Sequence, residues 1–181
     1  ALTNRYEVPA FAEIRGAFNI DENNVIHVIA DVISYVNLEN VRTFISVNEK
    51  TTTENHVEYG GTGETEWHHV MMKMLPDAEG NITTLKAGES KRFEFTYDMG
   101  TTFMEEADDL EVAVWIQNYD TKEIFNSHYL YEYTEHPYPA RNLHFSEGSR
   151  LKIKWDAPKE ATPTAYNLYV NNELVLSNTQ E

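Results

Sequence analysis

The sequence contains no cysteine and few basic residues: 14 Lys and Arg stand against 30 Asp and Glu, for a formal net charge of −16. Without cysteine the chain can form no disulfide, thiolate metal site, cysteine nucleophile or redox pair. A charge of this sign repels nucleic acid phosphates and anionic lipid headgroups. We therefore expect neither as a partner.

Long apolar runs are also lacking. The longest, Val25 to Val36, is interrupted by His27 and Asp31 and is shorter than the roughly 20 residues that cross a bilayer. We therefore expect that this chain does not insert into a membrane. The chain starts without Met and without a basic-then-apolar leader, so we interpret it as a piece of a longer protein.

Strand-forming residues are abundant. Hydrophobic residues make up 41% of the chain, with 11 Tyr, 8 Phe and 3 Trp, and short strand-like runs alternate with turn residues. This pattern predicts an all-β protein whose residues 1–135 form an immunoglobulin-like antiparallel β-sandwich.

Three runs show how the strands are predicted. Period-2 alternation predicts one core face from the residues Ile26, Val28, Ala30, Val32, Ser34 and Val36, a second from Phe93, Phe95 and Tyr97, and a third from Leu110, Val112, Val114 and Ile116. The third run should form a hairpin with residues 123–133. Residues 50–63 read as a long exposed loop. Residues 67–75 fit a helix and a strand equally well.

The prolines Pro137 and Pro139 predict an extended linker and a domain boundary. After it, Leu151, Ile153 and Trp155 alternate with charged residues, and the alternation resumes at Tyr166. Residues 136–181 therefore resemble a linker followed by a partial fibronectin type III-like module, with too few strands for a complete one. The alternative is that these are the last strands of one larger sandwich. Uncovered strands predict possible self-association through this module.

Three segments of the middle of the chain, residues 67–80, 85–90 and 112–124, occur in an order that resembles a known family. The resemblance is to the C-terminal β-domain of the outer membrane protein 28-related family of Bacteroidetes. It implies an extracellular or outer-membrane surface location, a role usually labelled adhesion, and a thioredoxin-like domain that often precedes the β-domain. This sequence lacks that domain's cysteines, so the resemblance implies no redox activity here.

Metal binding has two candidate sets. The zinc candidates are His56, Glu58, Glu66, His68 and His69. They do not supply paired ligands at fixed spacing, which favours surface histidines over a zinc site. The calcium candidates are Asp98, Glu105, Asp108 and Asp109, with Glu106 between them. Because they lack the order of a calcium-binding loop, we interpret them as a solvated acidic loop and expect no cofactor.

Other chemistry finds little support in the sequence. No Gly-x-Ser-x-Gly elbow, phosphate-binding glycine loop or His-Glu-x-x-His pair occurs. Five tyrosines could form an aromatic platform for a sugar or peptide, although strand tyrosines usually cover core edges: Tyr119, Tyr129, Tyr131, Tyr133 and Tyr138.

The sequence therefore predicts a non-catalytic cell-surface or secreted module for binding, adhesion or spacing, whose ligand is a protein or a glycan. The alternative is an accessory β-domain of a secreted hydrolase or thioredoxin-like enzyme, with the catalytic residues elsewhere.

Overall fold

The computed structural model of the protein describes residues 10–54, 63–132, 140–146, 152–157, 163–170 and 173–179. The chain divides into two compact units, residues 1–132 and 133–181. The strands, in chain order, are β1 (Ala12–Ile20), β2 (Val25–Ser34), β3 (Leu38–Thr52), β4 (Trp67–Leu75), β5 (Asn81–Leu85), β6 (Ser90–Asp98), β7 (Leu110–Asn118), β8 (Ile124–Tyr129), β9 (Tyr131–Glu132), β10 (Arg141–Ser146), β11 (Lys152–Asp156), β12 (Tyr166–Val170) and β13 (Glu173–Thr179). Two short 3₁₀ turns, Met99–Thr101 and Ala107–Asp109, lie between β6 and β7.

The first unit consists of two sheets. In the first sheet the strand order is β6-β2-β1-β9, and in the second it is β4-β3-β7-β8, with β5 also paired to β3. All pairings in the first unit are antiparallel except that of β9, which runs parallel to β1. The chain passes from the second sheet to the first at Leu130, a buried residue whose N–H donates to the carbonyl of Val112.

A hydrophobic core is formed by residues of both sheets. Alternate positions of β2 and β7 are buried, as the period-2 pattern of their sequences predicts. The first sheet contributes Ile14, Phe18, Ile26, Val28, Val32 and Phe93, and the second contributes Val41, Ile45, Val47, Leu110, Val112, Val114 and Ile116. The fold is therefore all-β, an immunoglobulin-like antiparallel sandwich, as predicted.

Two predictions were wrong at element boundaries. Val36 does not belong to the core face of β2, because the strand ends at Ser34 and the Val36 side chain is 37% exposed. The predicted loop begins too early, since β3 continues to Thr52 and buries that residue. Within β6 the predicted core face is correct: Phe93 is buried, and Phe95 packs partly buried against the core.

Residues 67–75, which fitted both a helix and a strand, form strand β4. A β-bulge interrupts the pairing of β4 with β3: Val47 lies opposite Lys73 and Asn48 opposite Met71. Met72 is the extra residue, and His69 has a positive φ of 55°. The bulge breaks the period-2 pattern, which explains why the sequence of this segment is ambiguous.

The second unit contains two antiparallel hairpins among its described residues, β10 with β11 and β12 with β13. Trp155 of β11 and Tyr166 of β12 meet edge to face with ring centroids 5.3 Å apart. Leu143, Leu174, Val175 and Leu176 are about half exposed. Pro137 and Pro139, on which the predicted linker rests, lie outside the described residues. The fibronectin type III-like assignment stays a prediction.

Candidate functional site

Two aromatic rings stand on the outer face of the second sheet. Phe44 of β3 and Trp115 of β7 are cross-strand partners, and their rings stack with centroids 5.2 Å apart and planes 11° from parallel. Each belongs to a strand whose intervening residues are buried in the core, so period-2 alternation turns both rings outward. Both remain half-buried. We call this pair the aromatic row.

Small residues lie on both sides of the aromatic row. On one side Gly80, with a positive φ of 69°, contacts the Phe44 ring so closely that an added Cβ would lie 2.7 Å from its Cε1 atom. On the other side Ser127 of β8 lies opposite Trp115 and is exposed. Because Phe44 covers one face of the indole, the other face is turned toward β8 and the short Ser127 side chain.

A polar cluster lies beside the aromatic row, where β7 turns into β8. The Arg42 guanidinium lies 4.0 Å from the ring centroid of Tyr119, and the Lys122 ammonium lies 4.2 Å from the same centroid. Arg42 also donates to the carbonyl of Glu79. Gln117 donates through Nε2 to the carbonyl of Lys122 at 2.9 Å, which fixes its amide group beside Trp115. Cation–π contacts and hydrogen bonds thus order this end of the face.

Large apolar side chains are exposed on the edge strands of the same sheet. Met71 of β4 is 58% exposed and Ile82 of β5 is 68% exposed, while Ile124 and Tyr129 of β8 are each 53% exposed. In the pairing of β7 with β8, Ile124 lies opposite Gln117 and Tyr129 lies opposite Ala113. The outer face of the second sheet therefore combines ordered rings with uncovered apolar edges.

The outer face of the first sheet has a different character. Arg92 binds both carboxylate oxygens of Asp31, at 2.7 and 2.5 Å, and Arg15 lies 2.5 Å from Glu13. The hydrogen bond from Arg15 lowers the pKa of Glu13. Two ion pairs therefore neutralise these four charged groups of the first sheet.

The four calcium candidates separate in the structure. Asp98 caps a 3₁₀ turn by accepting from the N–H of Gly100, and Asp108 is exposed. Glu105 accepts from the N–H groups of Thr53 and Glu54, whereas Asp109 accepts from that of Thr51. The interpretation as a merely solvated loop is wrong for Glu105 and Asp109, because their carboxylates bind the backbone at the end of β3.

A buried glutamate that the sequence reasoning missed completes this arrangement. Glu49 of β3 is fully buried, and its carboxylate accepts from the N–H of Glu105 at 3.0 Å and of Glu106 at 2.5 Å. The end of β3 and the loop before β7 are thus joined in both directions, because carboxylates of each bind backbone N–H groups of the other. Sequence offers one signal for Glu49: it continues the core register of Ile45 and Val47.

The zinc candidates are dispersed. His56 and Glu58 lie outside the described residues. His68 pairs with Glu66 at 3.0 Å, and His69 pairs with Glu111 at 2.7 Å, so each histidine has a different carboxylate. In the part of the chain that the structure describes, no group of three or more His, Asp or Glu side chains is placed to hold a metal ion.

The described tyrosines of the possible aromatic platform do not lie on one surface. Tyr129 lies on β8 opposite Ala113, and Tyr119 lies beside Arg42. Tyr131 instead belongs to β9 of the first sheet, and Tyr133 and Tyr138 lie outside the described residues. The sequence reasoning missed the aromatic row, although it had placed Trp115 on the face opposite Val112 and Val114.

The described residues define the class: an all-β protein built on an immunoglobulin-like sandwich, in which no described helix is long and apolar enough to cross a bilayer. No family model and no curated protein matches the sequence.

Among solved structures, HBP35 of Porphyromonas gingivalis is similar with a TM-score of 0.56 at 13% identity, over 98% of this chain and 59% of that chain. This likeness shows a shared fold, and this chain spans less than two thirds of HBP35. A GH3 beta-glucosidase of Bifidobacterium adolescentis is similar over 66% of this chain and 17% of that chain, at 18% identity, but its TM-score of 0.32 is too low to support an argument.

Proposed function

We propose that this chain is a non-catalytic module of a bacterial cell-surface or secreted protein, and that it binds its ligand on the outer face of the second sheet. The observation that carries the proposal is the aromatic row, Phe44 stacked on Trp115, held at the surface of a rigid sheet. Large rings fixed in this way bind with little loss of side-chain entropy, which makes them effective binding residues.

The contrast between the two sheets supports the choice of face. Four charged side chains on the first sheet form the ion pairs Asp31–Arg92 and Glu13–Arg15. The second sheet exposes apolar and aromatic groups at both edges, among them Ile82 and Tyr129. Exposed apolar side chains gathered on one face are typical of interaction sites, and burying them from water stabilises a complex.

A surface location is supported by the sequence resemblance of residues 67–124 to the β-domain of the outer membrane protein 28-related family of Bacteroidetes. HBP35 of Porphyromonas gingivalis shares the fold. The resemblance fits a module of a larger surface protein, and adhesion is the role that it implies.

Binding to cell-surface or extracellular-matrix preparations tests the proposed face. We expect fluorescently labelled full chain to be retained, and Trp115→Ala and Ser127→Tyr to reduce retention by about tenfold or more. Thr96→Tyr is the matched control, because it adds the same side chain at an exposed position on β6, the edge strand of the other sheet. Equal retention of Ser127→Tyr and the unaltered chain would refute the proposed face.

The non-catalytic part of the proposal has a separate test. Glu49, Glu105 and Asp109, carboxylates that could serve acid–base chemistry, are engaged with backbone N–H groups, so we expect no turnover. Glycosidase, peptidase and insulin-reduction assays on the purified full chain are the measurement. Reproducible turnover that a single substitution abolishes would show that the chain is an enzyme.

A further inference from the structure

We infer that the ligand of this face is a neutral glycan, one pyranose ring of which stacks on the free face of the Trp115 indole. The inference rests on the proposed function and names the ligand class of the same site. The space beside Trp115 and above Ser127, called here the indole slot, is the feature that carries it.

The indole slot follows from the pairing of three strands. Strands β3 and β8 flank β7, so Phe44 and Ser127 lie on opposite sides of Trp115. Neighbouring strands are about 4.8 Å apart, and Ser127 is too short to reach the height of the indole. In the described part of the chain, Phe44 is the single aromatic ring stacked on Trp115. The second indole face therefore remains available for a flat ligand.

Groups around the indole slot suit a sugar. The face of an aromatic ring is the negative part of its quadrupole and attracts the partly positive axial C–H groups of a pyranose. Three nearby residues have hydroxyl or amide groups that can bind sugar hydroxyls. Ser127 lies opposite Trp115, Tyr129 lies opposite Ala113, and Gln117 is on the same strand as Trp115. The hydrogen bond of Gln117 to the Lys122 carbonyl fixes its amide in advance.

Charge selects a neutral sugar over an acidic one. The chain carries a net charge of −16, and the negative field of the whole chain repels uronic or sialic acid groups. The nearby cations Arg42 and Lys122 are both engaged with the Tyr119 ring. A large protein partner fits this part of the face less well, because the most exposed aliphatic residues, Met71 and Ile82, lie on the opposite edge strands, β4 and β5.

Fluorine NMR of the full chain labelled with 5-fluorotryptophan gives a direct readout, because the chain has 3 tryptophans. Trp67→Phe and Trp155→Phe assign the signals. Neutral tetrasaccharides of glucose, mannose, xylose and N-acetylglucosamine are titrated in parallel with tetragalacturonate. We expect at least one neutral sugar to shift the Trp115 signal saturably, and tetragalacturonate to bind about tenfold more weakly or not at all.

Substitution at the slot floor avoids changing the ring itself. Ser127→Tyr fills the slot and should weaken sugar binding about tenfold or more, whereas Thr96→Tyr should change it by less than about threefold. Both positions are exposed on edge strands, so the variants are expected to fold. Equal binding by Ser127→Tyr and Thr96→Tyr would overturn the inference.

Periodate or protease treatment of the cell-surface preparations tests the glycan inference separately from the proposed function. Periodate oxidation cleaves sugar diols. If it abolishes the part of the retention that Ser127→Tyr also abolishes, the ligand is a glycan, whichever sugar is bound. Retention that survives periodate but is lost after protease treatment overturns the glycan inference and leaves the binding face intact. Retention that is insensitive to both Trp115→Ala and Ser127→Tyr contradicts the proposed function itself.

Discussion

Replacing Glu49 with alanine is expected to lower the free energy of unfolding of the first unit by about 3 kcal/mol or more. The Glu49 carboxylate is fully buried and accepts from the N–H groups of Glu105 and Glu106. Without it, two backbone donors lose a charged acceptor, and a hydrogen bond to a charged group contributes about 1.5 to 3 kcal/mol. The loop before β7 would also lose its attachment to β3.

Urea denaturation followed by circular dichroism measures this effect. Glu49→Gln retains the size and one carbonyl acceptor, so we expect an intermediate cost of about 1 to 2 kcal/mol. Glu54→Ala is the control at an exposed position five residues along the chain, and it should change stability by less than about 0.5 kcal/mol. Hydrogen exchange should accelerate at the amides of Glu105 and Glu106 in Glu49→Ala. A stability loss below about 0.5 kcal/mol in that variant would mean that Glu49 does not anchor the loop.

Alternation along individual strands made the sandwich predictable. The sequences of β2, β6 and β7 each alternate, and the structure buries the predicted positions Ile26, Phe93 and Val114. Burial of every second side chain is a local rule, which needs no knowledge of neighbouring strands. The same rule predicted that Trp115 faces away from Val112, and Trp115 is half-buried on the outer face.

Local rules fail where a strand departs from regular geometry. The bulge at Met72 and the positive φ of His69 shift the register of β4 within a few residues, so its sequence matches no single period. Similarly, polar residues at the end of β3 suggested a loop. The strand continues because Thr51 donates to Asp109, far away in sequence. Neither cause is visible within a short window of sequence.

Predicting the candidate site would have required the pairings between strands that are distant in sequence. Phe44 and Trp115 are 71 positions apart by their numbers, and their stacking follows from the register of β3 against β7. The sequence placed Trp115 on the outward face but supplied no register, so it could not identify Phe44 or Ser127 as its neighbours. For the same reason, Glu49 and Glu105 read as ordinary acidic residues until the structure placed them in contact.

Replacing Gly16 with alanine is expected to cost about 3 to 5 kcal/mol of stability in the first unit. Gly16 lies in β1 opposite Ala30 of β2, with a positive φ of 156°. A Cβ atom built there would lie 2.1 Å from the carbonyl oxygen of Ile29 and 2.9 Å from the Cα atom of Ala30. Both atoms belong to the backbone of a strand in the middle of the sheet. Relieving the clash would therefore require β1 and β2 to separate locally.

Gly88→Ala is the matched control for this prediction. Gly88 also has a positive φ, of 84°, but an added Cβ would meet no atom within 4 Å. The control variant should therefore show the backbone strain alone, about 1 kcal/mol, and the difference between the two variants measures the clash. Urea denaturation of both variants under the same conditions gives the comparison. Equal costs for Gly16→Ala and Gly88→Ala would show that β1 can move away from β2 freely, and that the approach of these strands at Gly16 does not constrain the sheet.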